Sequence, residues 1–233
     1  MENKYFLAFI CFLIFSDTFS QSLDPAYRFE QISDIDFGIN GEGLLMQADY
    51  HHVHRLNPEN NFRMGYGLAF MRYRSFEDIN YTTKEGEQYL DLGLDSLQVE
   101  NPAISSLNLF ILLNYAPNDR IDFGLSIDVV GIGWGKPQDA LLASGPNDNA
   151  PRGAVSEPVR FNSSVFASGS WRSQFHLRYW LAQRWALHTG VTYWLSAYQV
   201  TEDLGLEEDV FTQTTFLWRL GFSFRWGQHT FKQ

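Results

Sequence analysis

The sequence predicts an all-β fold: eight antiparallel strands in up-and-down order, closed into a β-barrel. Three observations carry that prediction. Apolar and polar residues alternate with period two along eight stretches, which sorts them onto opposite faces of a strand and not of a helix. Turn-forming residues separate the stretches, and the connections between them are alternately short and long. The oily face carries the bulkiest side chains, while the opposite face carries glycine, alanine and charge.

The chain opens with an address. Lys4 precedes an apolar run over residues 5–15, and Ser16, Asp17, Thr18, Phe19 and Ser20 follow. A positive start, about 7–15 apolar residues and a small residue before the cut make a secretory signal peptide. This predicts a signal peptide over 1–20 and one domain over 21–233. A spanning helix needs about 20 apolar residues, more than this run supplies. Cys11, the only cysteine, lies inside the run behind Ile10, which is too large for a lipoprotein box. The mature chain then has no thiol, no disulfide and no cysteine-ligated metal.

The strands follow in order. The first, about 29–39, sets Phe29, Ile35, Phe37 and Ile39 against Glu30, Asp34 and Asp36. Asn40-Gly41 is the favoured two-residue hairpin turn. It would pair Ile39 with Glu42, Phe37 with Leu44 and Ile35 with Met46, so that the oily faces coincide. The second strand, about 42–56, sets Leu44, Met46, Ala48 and Tyr50 against Gln47, Asp49 and His51. The third, about 62–76, sets Phe62, Met64, Tyr66, Leu68 and Phe70 against Arg63, Gly65, Gly67 and Ala69. The fourth, about 104–115, sets Leu107, Leu109, Ile111 and Leu113 against Asn108, Phe110, Leu112 and Asn114. The fifth, about 121–134, sets Ile121, Phe123, Leu125, Ile127 and Val129 against Asp122, Gly124, Ser126 and Asp128.

In the sixth strand, about 165–181, Trp171, Phe175, Leu177 and Tyr179 oppose Arg172, Gln174, His176 and Arg178. In the seventh, about 185–199, Trp185, Leu187, Val191, Tyr193 and Leu195 oppose Ala186, His188, Gly190 and Thr192. The eighth, about 213–226, sets Phe216, Trp218, Leu220, Phe222, Phe224 and Trp226 against Thr215, Arg219, Gly221, Ser223 and Arg225. Connections 57–61, 116–120 and 182–184 are tight, whereas 76–103, 135–164 and 200–212 are long. Only the first hairpin departs from the alternation.

The two faces decide the surroundings. A net charge of −10, from 17 basic and 27 acidic residues, excludes a phosphate-backbone binder. The Leu, Ile, Phe and Trp of the oily face are too bulky to share one eight-stranded lumen, whereas glycine and alanine fit a crowded one. The sequence therefore predicts a transmembrane barrel with its oily belt toward lipid and its charge inside. Lipid offers no partner to a sheet edge, so a spanning sheet must close. Strands of about 9–11 tilted residues suffice to cross, and short inner turns with long outer loops are the usual asymmetry. All seven tryptophans fall in predicted strands, mostly near strand ends, where they are expected to form an interfacial girdle.

The last strand, RLGFSFRW, resembles the C-terminal assembly signal of outer-membrane barrels, with Arg219, Gly221, Phe224 and Trp226 at the positions that matter. With the alternating runs and the leader, the chain resembles the small eight-stranded OmpA/OmpX-like barrels over nearly all of its mature length. It departs in continuing through Gly227 to Gln233 instead of ending on the aromatic. The resemblance implies a location in the outer membrane of a Gram-negative cell. It also implies contact with outer-membrane lipid and lipopolysaccharide, and insertion by the barrel-assembly machinery.

The inward list carries both signs. Glu30, Asp34, Asp36, Asp49, Asp122 and Asp128 face Arg63, Arg172, Arg178, Arg219 and Arg225, with His51, His176 and His188 among them. Closure would bring the eighth strand beside the first, so Arg219 and Arg225 can reach Asp34, Asp36 or Glu30. The turns predict that Asn114 faces Asp122, Asn108 faces Asp128 and Arg178 faces His188. An ion-pair core plugging a narrow barrel is the expected reading, and a small-solute channel or proton path is the alternative, favoured by any unpaired like charges.

No catalytic, cofactor or metal site is expected. His51, His52 and His54 lack the convergent further ligand that zinc needs. Lipid A-modifying barrels are the enzymatic alternative, but no histidine here is followed by their His-x-Ser-Asn pattern. GIGWGK lacks the strand-loop-helix setting of a phosphate loop. The outer loops carry Asp78, Glu85, Glu87, Asp91, Asp95 and Glu100, then Glu202, Asp203, Glu207, Glu208 and Asp209. Those loops are expected to be solvated, and to supply an acidic surface for an extracellular partner or for cation-bridged lipopolysaccharide. Parts of the first of them, YLDLGLDSLQV, alternate and would extend the barrel above the membrane.

Overall fold

A computed structural model describes residues 30–56, 61–83, 96–143, 151–166, 168–201 and 210–226. The expected signal peptide, Phe29, the C-terminal extension and the acidic stretches 84–95 and 202–209 lie outside the described residues. The fold is all-β: one antiparallel sheet of thirteen strands. They are β1 (Glu30–Ile39), β2 (Gly43–Arg55), β3 (Phe62–Ser75), β4 (Ile79–Thr83), β5 (Ser96–Val99), β6 (Ala103–Asn118) and β7 (Ile121–Trp134). Then come β8 (Gln138–Ala143), β9 (Arg152–Pro158), β10 (Phe161–Asn162), β11 (Trp171–Trp180), β12 (Trp185–Val200) and β13 (Val210–Trp226).

Eight of the strands are the predicted ones, and their pairings run β1–β2–β3–β6–β7–β11–β12–β13 and return to β1. Each therefore has a neighbour on both sides. Burial alternates along them in phase with the sequence pattern, as in β3, where Arg63, Gly65, Gly67, Ala69, Met71, Tyr73 and Ser75 are buried. Glycine at inward positions is a packing requirement. A Cβ at Gly124 would collide with the His176 ring, and one at Gly190 with the Phe175 carbonyl.

The first hairpin corrects the expected register. Ile39 pairs with Leu44, Phe37 with Met46 and Ile35 with Ala48, two residues beyond the predicted partners. The cause is local: the Asn40 side chain accepts the amides of Glu42 (3.0 Å) and Gly43 (2.7 Å), which makes the turn longer than two residues. A slip of two preserves facing, so the oily sides still coincide. Between β6 and β7 the expected pairs also fail. Asn114 lies opposite Gly124, Asn108 opposite Gly131 and Phe110 opposite Asp128, because irregularities at Tyr115/Asn118 and Leu109/Phe110 insert extra residues. Arg178 opposite His188 holds.

The sixth predicted strand starts later than expected, at Trp171 and not near 165. Residues before it double back. β10 pairs with the upper part of β7, Ser163 bonds the Val129 carbonyl at 2.9 Å, and Ser164 bonds that of Asp128. This segment carries the wall above the point where β7 and β11 part.

The long connections are more ordered than expected. β13 pairs with β4, β4 with β5, β5 with β8, β8 with β9, and β9 with β12, which pairs with β13. These six strands close a second, smaller ring that shares β12 and β13 with the first. Alternation in β5 (Ser96–Val99) is the part of YLDLGLDSLQV within the described residues, and it does extend the sheet. The second ring buries Tyr81, Leu97, Val99, Leu142, Tyr198 and Phe211.

Candidate functional site

The eight-strand ring is inverted relative to a water-soluble protein. Its outward face exposes large apolar side chains in unbroken rows, such as Phe216 (64%), Trp218 (71%), Leu220 (62%) and Phe222 (57%) on β13. Its inside holds ions. All fourteen residues singled out from the sequence (Glu30, Asp34, Asp36, Asp49, His51, Arg63, Asp122, Asp128, Arg172, His176, Arg178, His188, Arg219 and Arg225) are buried there.

They fall into three clusters. In the first, the Arg172 guanidinium bridges two carboxylates. Its Nε donates to Asp128 Oδ1 at 2.9 Å, and Nη1 and Nη2 both donate to Asp49 at 3.2 Å. Asn108 donates to Asp128 (2.8 Å), and Gln47 to Asp49 (2.6 Å), so each carboxylate has a neutral partner as well. In the second, Arg178 reaches Asp34 at 2.7 Å, Asp122 at 3.3 Å and Ser223 at 2.7 Å. Asp36 there meets Arg219 at 2.5 Å and bonds to His188, whose Nδ1 lies 2.8 Å from Ser223. His51 stands 3.8 Å from Asp34, and His176 the same distance from Asp122. In the third, at the inner end, Glu30 meets Arg55 at 2.9 Å, Arg225 at 3.1 Å and Arg63 at 3.4 Å. Arg219 and Arg225 thus reach across the closing seam as expected.

Two features were missed by the sequence reading although parity contained both. Arg55 shares the facing of His51 and joins the Glu30 cluster. Trp180 and Trp194 are inward and buried, which corrects their place in the expected girdle. Both have the parity of the polar residues in their strands. Trp180 donates to Asp122 at 2.9 Å and lies under Arg225, 3.7 Å from the guanidinium carbon to the ring centroid. Trp194 packs with Tyr73 at 6.1 Å near the outer end.

With Arg55 the interior holds six guanidiniums and six carboxylates among the described residues. They are interleaved, and every one joins an opposite charge. Above them lies an apolar layer of Leu45, Met71, Tyr73, Ile104, Trp194 and Leu217. Beyond that layer the smaller ring places Tyr81 against Tyr198, with ring centroids 5.1 Å apart, and Ser196 donates to the Tyr81 hydroxyl at 3.3 Å. Burial, with the Tyr198 phenol beside it, holds the Tyr81 phenol well above its ordinary range. The three histidines of HHVH do not converge: His51 points inward, while His52 and His54 stack on Tyr66 outside.

Geometry thus defines a class: an all-β chain in a self-closed antiparallel sheet, apolar outside and ion-paired inside. No family model matches the chain, and no curated protein sequence does either. It is similar to solved outer-membrane proteins. The Yersinia pestis outer membrane protein Ail in a nanodisc shares 11% identity, over 85% of this chain and 100% of that one, with a TM-score of 0.39. A major outer membrane protein from Thermus thermophilus shares 14%, over 86% and 100%, at 0.43. Neisserial surface protein A shares 8%, over 86% and 97%, at 0.35. At such scores the likeness carries no part of the functional reading, which rests on the ring itself.

Proposed function

We propose that the chain is an integral outer-membrane protein, an eight-stranded transmembrane β-barrel without enzymatic activity. Its role would be structural, or that of a surface for an extracellular partner at its outer loops. The observation that carries this reading is the inversion of polarity around a closed ring. Rows of exposed Leu, Ile, Phe and Trp would be an aggregation hazard in water, but they are the surface a bilayer demands. Closure supplies what lipid cannot, a hydrogen-bond partner for every strand edge.

The interior speaks for a scaffold over a small-solute channel. Arg172 and Arg178 are fully buried and span from β11 to acids on β1, β2 and β7. That crosses the lumen, and the apolar layer and the smaller ring lie over it. Outer-membrane targeting by residues 1–20, and insertion through Arg219, Gly221, Phe224 and Trp226, belong to the same proposal.

The test is electrophoretic. In detergent, unheated protein should migrate differently from boiled protein and give β-rich circular dichroism. A chain that stays monomeric and folded in plain buffer would sink the reading.

A further inference from the structure

The wall of the eight-strand ring is not uniform. β7 and β11 pair only from Ile121 opposite Tyr179 up to Ile127 opposite Ser173, the shortest ladder in that ring. Above it, side chains do what backbone does elsewhere. The Arg172 amide, next in line, donates to Asp128 Oδ2 at 3.1 Å. The Asp128 carbonyl accepts the Ser164 hydroxyl, and the Val129 carbonyl accepts that of Ser163 at 2.9 Å. Backbone pairing resumes at Asn162 opposite Gly131 and Phe161 opposite Ile132, on the two-residue β10. The other side of β7 is interrupted at the same level. Leu109 lies opposite Val130 and Phe110 opposite Asp128, so the ladder with β6 skips Val129.

The residues that bridge this gap form a strap. Ser163 and Ser168 exchange both backbone bonds, at 2.7 and 2.9 Å, and close a turn that carries Val165 and Phe166, 69% and 64% exposed. Phe161 and Ile132, where β10 meets β7, are exposed as well. Behind the strap, Asn162 accepts the Ser170 amide at 2.9 Å and donates to Asn108 at 3.2 Å, and Asn108 donates to Asp128 at 2.8 Å. Asp128 therefore serves the wall and the ion-pair core together. Its Oδ2 takes the Arg172 amide and its Oδ1 takes the Arg172 Nε.

We propose that residues 163–168 are the strap of a lateral gate. When the strap lifts, β7 and β11 part above Ile127 and Ser173, and the cluster of Arg172, Asp49 and Asp128 opens to the side of the barrel. The inference rests on the membrane reading above, which sets the oily tip of the strap in lipid. A bilayer offers nothing to a freed backbone group, so a continuous ladder is held shut there. This seam is held by a few side-chain bonds, each of small net worth, and local opening is drawn from the least-bonded segments of a fold. The clusters around Arg178 and Glu30 lie outside the gap and stay paired, so the opening is a side pocket and not a pore.

The test is hydrogen exchange of the full mature chain in phosphatidylcholine nanodiscs, read by mass spectrometry. The peptide over 169–175 reports the seam, and that over 64–70 of β3, paired on both sides, is the reference. In wild type the seam should exchange at least about tenfold faster than β3. S163A/S164A, which removes two hydroxyl bonds, should speed the seam by about a further tenfold and leave β3 unchanged. F161C/I132C supplies a staple. The Gly133 amide donates to the Arg160 carbonyl, so the next pair, Phe161 and Ile132, is a non-hydrogen-bonded one, close enough for a disulfide. Oxidised, this variant should slow the seam to the rate of β3, and dithiothreitol should return it to that of wild type. A wild-type seam as slow as β3 overturns the proposal, as does S163A/S164A matching wild type. So does fast exchange that survives the closed staple, since fraying and not parting of strands would then be its source. Uniformly slow exchange in nanodiscs sinks this inference only. Protein that enters no nanodisc sinks the membrane reading with it.

Discussion

Replacing Arg172 with alanine should be among the most damaging single changes in the protein. Its side chain is fully buried and, among the described residues, is the one cation held by both Asp49 and Asp128. Removing one partner of a buried pair costs about 3–5 kcal/mol, because the other charge is left without compensation. Here two carboxylates are stranded, so the upper end of that range applies, about 5 kcal/mol, softened by the bonds from Asn108 and Gln47. Against a typical total of about 5–15 kcal/mol, that is enough to lower the folded yield visibly. The assay is urea unfolding in detergent micelles, followed by the folded band on an unheated gel. Converting the site whole, as R172M with D49N and D128N, should recover most of the loss, since neutral groups of similar shape need no counter-charge. A cost for R172A below about 1 kcal/mol, the worth of an exposed pair, would refute the reasoning, because it would mean that water bathes the supposed interior.

Other changes test other parts. W180F removes a 2.9 Å bond to Asp122 and weakens the ring under Arg225, and should cost about 1–3 kcal/mol in the same unfolding assay. F175R puts a charge on the outward face and should cost about 2–4 kcal/mol in a bilayer; little effect there would contradict a lipid-facing Phe175. The Tyr81 phenol, raised by burial, contributes stability that is complete below about pH 10, the unfolded value, and is lost as pH climbs toward the raised folded one. Ultraviolet titration should therefore show one late-ionising tyrosine fewer in Y81F, whereas an unchanged late phase would count against the buried outer ring.

Much of this was legible in the sequence because parity is a strong constraint. One buried face forces every second residue, so Asp34, Asp128, Arg178 and Arg219 could be placed inside from alternation alone. The Arg219 and Arg225 contacts across the seam followed from closure. Turn geometry was not legible in the same way. Asn40 lengthens its hairpin through side-chain bonds that a dipeptide preference does not encode, and the irregularities beside Leu109 and Tyr115 shift β7 by residues that alternation cannot count. The strands of the outer loops were hidden for another reason. β4, β5 and β10 are two to five residues long, and such pieces gain their stability from partners distant in sequence, not from their own pattern. Trp180 and Trp194 show the converse error: composition suggested a girdle, and the parity of each residue said otherwise.

The central claim is that the greasy side chains face lipid and the charges face an enclosed interior. Nitroxide labels on single cysteines, placed in the mature chain in liposomes, test it most directly. Labels at Ile111, Leu125 and Leu220 should collide freely with oxygen and scarcely with a water-soluble nickel complex, while labels at Ser126, Thr192 and Ser223 should be shielded from both. If the first three met nickel as readily as an exposed turn position such as Asp119, the wall would be facing water and the account would be wrong.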